Sequence, residues 1–369
     1  MHTQNNTPRW AAGLLTCLLL FNFASLVAQE STTVSWRQAQ RQSDDWYGSP
    51  EAIRIADNLL VYQHATGGWP KNLDMAAELS DDEISAVRSA KTDPDDELGR
   101  PTIDNRATHT QLRYLAKVLD RTGEDRFRES FLRGVDYLLE AQYGNGGWPQ
   151  FYPLRKGYYS HITYNDGAMI GVLEVLHSVA RGEYDFVDQD RRKAAGEAVD
   201  RGVDVILRTQ ITVDGQLTAW CAQYDAESLE PAKARAYELV SLSGSESVGI
   251  VEFLMELDAP SPGVVRAVRA AIDWFERVQL RGLRLVRTPV PDEPGEYDVM
   301  IAFDPTSDRS LWARFYEIGT NYPIFVGRDG VVRYTLAEVE YERRVGYSWI
   351  GDYARELLEE DYPAWEAKR

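Results

Sequence analysis

Apolar positions recur at helical spacing through most of the first 280 residues. In 105–119, Leu112, Leu115, Ala116 and Leu119 share a face; in 125–141, Phe127, Phe131, Val135, Leu138 and Leu139 do so; in 166–180, Met169, Val172, Leu173, Leu176 and Val179 do so. The spacing predicts helices over these stretches and over 51–63, 191–209, 246–257 and 263–278. Gly67-Gly68-Trp69-Pro70 breaks the pattern after the first helix, and Gly146-Gly147-Trp148-Pro149 breaks it again. A degenerate third copy has Asp214-Gly215 followed by Trp220. The repeat of helix, Trp turn, long loop and helix predicts a mainly α fold, an α/α toroid of about three helical hairpins; a plain helical bundle is the alternative. Inner helices of a toroid run parallel, so the segments 102–105, 164–167 and 243–246 are expected to meet at one end.

After residue 280 the texture changes. Residues 281–335 contain five prolines and short β-like runs at 283–286, 300–303, 323–326 and 331–334, the last two joined by Gly327-Arg328-Asp329-Gly330. The expected organisation is a leader over 1–28, a helical core over 29–280, and a smaller irregular region with short strands over 281–369. That region would complete a cleft and return to the core at its C-terminus. The charged stretch 78–97 is expected to be an exposed acidic insert.

Charge and composition narrow the function. The 369 residues carry 40 Lys and Arg against 58 Asp and Glu, a formal charge of −18, which argues against a nucleic-acid partner. Arg9, the apolar run 10–21 and Ala28 read as a cleaved export signal, which predicts a secreted or periplasmic protein with no membrane segment after cleavage. Cys17 would leave with that signal. Cys221 alone remains, so neither a disulfide nor a thiolate metal site is expected, and Cys221 itself reads as a core residue.

Three groups of residues carry chemistry. Asp104 and Asp166 stand at the starts of inner helices beside Asn105 and Asn165. Each alone reads as a helix cap; converging at one end of a toroid, they are hard oxygen donors suited to Ca²⁺. Lys71, Lys233, Arg235, Arg314 and Arg328 lie in loops, where single arginines are surface charges but a cluster makes an anion clamp. Trp69, Trp148, Trp220 and the pairs Phe151-Tyr152 and Tyr158-Tyr159 are core or turn residues, one or two of which suit a sugar platform. His64, His109, His161 and His177 are scattered and read as structural. Nucleotide-binding fingerprints, a nucleophile elbow and a zinc-protease motif are absent from the sequence.

Five segments in this order resemble the pectate lyases of polysaccharide lyase family 10: 67–72, 102–108, 146–150, 163–169 and 325–330, read as Gly-Gly-Trp-Pro-Lys-Asn, Thr-Ile-Asp-Asn-Arg-Ala-Thr, Gly-Gly-Trp-Pro-Gln, Thr-Tyr-Asn-Asp-Gly-Ala-Met and Phe-Val-Gly-Arg-Asp-Gly. The resemblance spans roughly residues 40–355. It implies calcium-assisted β-elimination of polygalacturonate or another acidic polysaccharide by a protein acting as a monomer. By motif, Asp104, Asn105 and Asp166 take the calcium positions, Arg328 that of the base, and Lys71, Arg235 and Arg314 those of substrate contacts. Tyr322 stands where the resemblance implies a basic residue. A toroidal glycoside hydrolase using Asp104 and Asp166 as its carboxylate pair, and a non-catalytic acidic-polysaccharide binder, are the competing readings.

Overall fold

The computed structural model describes residues 34–369 apart from Pro94, Asp292 and Pro294; the expected leader over 1–28 lies outside the described residues. In chain order the helices are α1 (Trp36–Ala39), α2 (Pro50–Tyr62), α3 (Asp81–Ala90), α4 (His109–Thr122), α5 (Asp125–Glu140), α6 (Ala168–Arg181), α7 (Gln189–Thr209), α8 (Glu246–Glu256), α9 (Pro262–Arg277), α10 (Tyr341–Gly346) and α11 (Tyr362–Glu366). They form two rows, the α/α toroid that the periodicity predicts. Helices α2, α5, α7 and α9 lie side by side in the outer row, and α4, α6 and α8 in the inner row. Each inner helix packs on the outer helix that follows it, giving three hairpins: α4–α5, α6–α7 and α8–α9. Left-handed Gly123 and Gly182 end α4 and α6, a conformation a side chain would disfavour.

The Trp turns lock the rows together. Buried Trp69, Trp148 and Trp220 each donate an indole N–H to a carbonyl near the end of the preceding outer helix, Leu59, Leu138 and Ile206, all at 2.8 Å. Gln63, Gln142 and Gln210 immediately follow or cap those helices. The amide of each bridges its own turn to the next outer helix, at Ser130 O, Ala198 O and Ala267 O. These amides, buried at Gln63 and Gln210 and half-buried at Gln142, satisfy carbonyls that packing shields from water. Gly67 and Gly146, at φ 103° and 99°, pass so close to that next helix that a Cβ would lie 2.1 Å from Arg133 O and Arg201 O. Trp312, which the repeat analysis did not include, makes a fourth such bond, 2.9 Å to Phe275 O at the end of α9.

The segment after 280 forms three antiparallel pairs within itself and one with the loop before α8. Leu283–Pro289 pairs with Tyr297–Phe303, Leu242–Ser243 with Phe315–Tyr316, Trp312–Ala313 with Ile350–Gly351, and Phe325–Val326 with Val332–Arg333. The structure corrects the expected starts of two inner helices. The inner helices begin at His109 and Ala168 rather than at 105 and 166, because short 3-10 turns precede them. The acidic stretch 78–97 contains α3, which a capping box of Ser80 and Glu83 starts. Helical periodicity there is masked by its many charges.

Candidate active site

The two 3-10 turns, Asp104–Arg106 and Asn165–Gly167, pack against one another ahead of α4 and α6. Both are held from behind by the Trp turns, with Thr102 N–H on Trp69 O at 3.0 Å and Thr163 N–H on Trp148 O at 3.2 Å. Ser243 N–H repeats the bond on Trp220 O at 2.7 Å. The second residue of each 3-10 turn is left-handed, Asn105 at φ 49° and Asp166 at φ 53°. Arg106 and Thr108 are left-handed as well, at 65° and 66°. Such conformations are unfavourable for residues other than glycine, so the surrounding packing must impose them. Neither aspartate is an N-cap, as each alone was expected to be. Structurally, Asp104 matches Asn165, and Asn105 matches Asp166; the acid and the amide exchange places between copies.

This exchange decides which atoms are available. Asp104 is buried; its Oδ2 is ion-paired with Lys71 Nζ, and its Oδ1 has no hydrogen-bond partner. Asn165 is buried; its Nδ2 donates to Asp166 Oδ2 at 2.7 Å, and its Oδ1 has no partner. Asn105 is exposed and donates instead to Asn72 Oδ1 at 2.7 Å. Asp166 accepts from Arg314 Nη2 at 3.0 Å.

Arg314 ties this corner to the segment after 280. It is buried, pairs also with buried Glu246 at the start of α8, and lies 4.8 Å from the Tyr347 ring. Burial alone would lower its pKa; Glu246, Tyr347 and Asp166 outweigh it and hold the guanidinium above the ordinary arginine value. From Tyr347 a ladder of cations and rings continues. Arg343 lies 5.7 Å from the Tyr347 ring and 4.8 Å from that of Tyr237. Arg235, at 4.9 Å, and Arg328, at 5.9 Å, meet the same Tyr237 ring. Arg235 is chelated by Glu238, which raises its pKa. Lys71 lies 5.5 Å from the Phe151 ring, with Arg155 on that ring's other contacts.

Lys71 therefore pairs with Asp104 and Arg314 with Asp166, on two turns that pack against each other, and Arg235 stands on the ladder beyond Arg314. Arg328 is not in contact with the acidic turns. It is exposed, bonded to Glu342 through Nε at 2.9 Å and Nη2 at 3.0 Å, and these bonds raise its pKa. In turn, Arg328 and Arg343 hold the Glu342 carboxyl down at about 2. In this arrangement Arg328 is a firm cation. Lys233 is exposed on the loop before Arg235.

A family model described as pectic acid lyase matches residues 63–358. The chain belongs to the pectic acid lyase family. Two solved structures of a family 10 polysaccharide lyase from Cellvibrio cellulosa resemble this lyase at 35% identity and a TM-score of 0.73. One, a point mutant in complex with trigalacturonic acid, is matched over 87% of this chain and 95% of its own. The other is matched over 89% and 95%. No curated protein matches. Two further residues stand at this corner of the lyase, Asn165 and Glu246. In sequence nothing separates Asn165 from Asn105; the backbone equivalence of the two turns shows that Asn165 carries the buried oxygen while Asn105 is exposed. Glu246 was visible merely as the start of a helix.

Proposed function

We propose that this lyase cleaves polygalacturonate by β-elimination, with Arg328 as the base and Ca²⁺ bound at the corner formed by Asp104, Asn165 and Asp166. The reading rests on one observation above others: a corner of buried, unpartnered carboxylate and amide oxygens is bordered by a ladder of cations. Asp104 Oδ1 and Asn165 Oδ1 are hard donors that fit Ca²⁺. They do not complete a shell. No cluster of three His, Cys, Asp or Glu side chains exists among the described residues, so substrate carboxylate and water must supply further oxygens. A bound Ca²⁺ would neutralise the carboxylate charge that grows as the substrate loses its proton.

Lys71, Arg235 and Arg314 would hold the uronate carboxylates, concentrating positive charge in a chain whose formal charge is −18. Neutral Arg328 would take the proton from C5, the electron pair would form the C4=C5 bond, and the C4–O bond would break. The leaving oxygen is protonated from water, and the new end is a 4,5-unsaturated uronide. For this Arg328 must leave Glu342, which stabilises its protonated form. Segment 281–369 supplies both Arg314 and Arg328 and so completes the cleft. The export signal read from the sequence would place this activity outside the cell or in the periplasm, and the lyase would act as a monomer.

The test is polygalacturonate at about pH 8–10 with and without a calcium chelator. Ultraviolet-absorbing unsaturated product, lost with chelator, is the expected result. Reducing ends without that absorbance would point to hydrolysis, and binding without either product to a non-catalytic protein; both contradict the proposal.

A further inference from the structure

In this acidic chain, the cations near the site are nearly all matched by carboxylates: Arg235 with Glu238, Arg314 with Glu246, Arg328 and Arg343 with Glu342. One neighbouring region breaks that rule. A cavity of about 350 Å³ lies between α1 and the left-handed turn before α4, lined by Trp36, Arg37, Arg41, Lys71, Asn105 and Arg106 among others, with no Asp or Glu in its lining. Arg37, Arg41 and Arg106 have no ion-pair partner among the described residues. A second cavity of about 160 Å³ shares Arg41 and Arg106 and adds Lys117 and Arg113, the latter paired with Glu174 outside the lining, again without a carboxylate among its lining residues.

Unpaired guanidiniums held close together repel one another, and an acid-rich surface offers ready partners to relieve that repulsion. Their isolation here favours an external anion. The shape of the anion follows from the lining. Guanidinium forks match carboxylates in geometry, and the half-buried Trp36 ring offers an apolar face to a sugar. Lys71 belongs both to this groove and to the acidic corner, where it pairs with Asp104, and Asn105 sits in the same turn as Asp104. The groove is thus a continuation of the cleft.

We propose that this groove is a distal subsite that binds further uronate residues of a polyanionic chain already seated at Asp104 and Asp166. The inference rests on the acidic-polysaccharide reading given above. It makes the lyase selective for long substrates, because only a chain that passes Lys71 reaches Arg37 and Arg41.

The experiment compares wild type with the double variant R37A/R41A. Both positions are exposed, so the fold is retained. The variant is expected to lose about tenfold in kcat/KM on polygalacturonate, through KM and not kcat. The loss on trigalacturonate should be much smaller, and R37K/R41K should recover most of the polymer effect. In native gels cast with polygalacturonate, R37A/R41A should be retarded less than wild type at low salt, with the difference vanishing as salt rises. Equal losses on trimer and polymer, or equal retardation of the two proteins, would overturn the subsite. The gel needs no turnover, so it decides the groove even if no unsaturated product forms, an outcome that would defeat the lyase chemistry separately.

Discussion

The two sides of the site are built in different ways. The acidic side grows out of the Trp-turn repeat: Asp104 and Asn165 are buried, each turn holds a left-handed residue, Thr102 N–H bonds Trp69 O, and the N–H groups of Tyr164 and Asn165 bond Ala222 O. The basic side is borne by loops. Arg328 sits on the turn between two-residue strands, and its partners Glu340 and Glu342 are themselves exposed. A buried wall imposed by packing keeps its geometry without substrate; an exposed ion pair in water separates at small cost. In the proposed mechanism this division would place the charge-stabilising oxygens on the rigid wall and the proton-accepting group on the one that can rearrange.

The largest break in this comparison comes from Arg328→Ala. Unsaturated product should form about 10³-fold more slowly, while trigalacturonate affinity, measured by calorimetry, changes only a few-fold because Lys71 and Arg314 remain. Parallel loss of binding and turnover would make Arg328 a binding residue instead.

Next is the difference in rigidity. Gly146→Ala combines a positive φ with a Cβ 2.1 Å from Arg201 O, and should cost about 3–5 kcal/mol, seen as a marked drop in Tm. Gly330→Ala, whose nearest contact is 3.3 Å away on the loop wall, should cost only ~1 kcal/mol. Gly144→Ala, with open space around it in the same Trp turn as Gly146, should be nearly neutral in thermal unfolding.

A smaller effect sharpens the role of the loop wall. Anionic Glu342 raises the Arg328 pKa. Glu342→Gln removes that charge, lowers the Arg328 pKa and enlarges its neutral fraction at any given pH. The rise of kcat/KM with pH should therefore move to lower pH. An unmoved or upward-shifted profile would separate Glu342 from the base.

The smallest effect belongs to the rigid side. His109, at the start of α4, is fully buried; desolvation, aided by Arg113 and Arg106, holds its pKa well below the usual 6.5. The unfolded chain then binds a proton that the folded chain refuses. This contribution to stability is complete above about pH 6.5 and declines as pH falls below it. The slope of Tm against pH between 7 and 5 should be shallower in His109→Gln.

The rigid side was also the more legible in sequence. Apolar spacing located the long helices to within a few residues, and Gly-Gly-Trp-Pro marked turns whose glycines and indoles do the locking. The spacing failed where chemistry overrode it. Nothing periodic distinguishes a helix start from a 3-10 turn with a left-handed residue, so Asp104 and Asp166 were read as helix-borne. Trp312 escaped because the hairpin 283–303 separates it from Phe275. The partners of Arg314 lie 68 and 148 residues away, and the Tyr237–Arg343–Tyr347 ladder joins separate loops. Such contacts leave no local pattern; the resemblance carried by residues 325–330 picked out Arg328, and its pairing with Glu342 became visible only in the fold.

The account turns on Arg328 exchanging Glu342 for the substrate. A crystal structure of the wild-type lyase with trigalacturonate, at a pH low enough to suppress turnover, measures this directly. The guanidinium should stand beside C5 of a uronate whose carboxylate faces Asp104 and Asp166. Substrate bound at those aspartates with Arg328 still paired to Glu342 and away from C5 would contradict it.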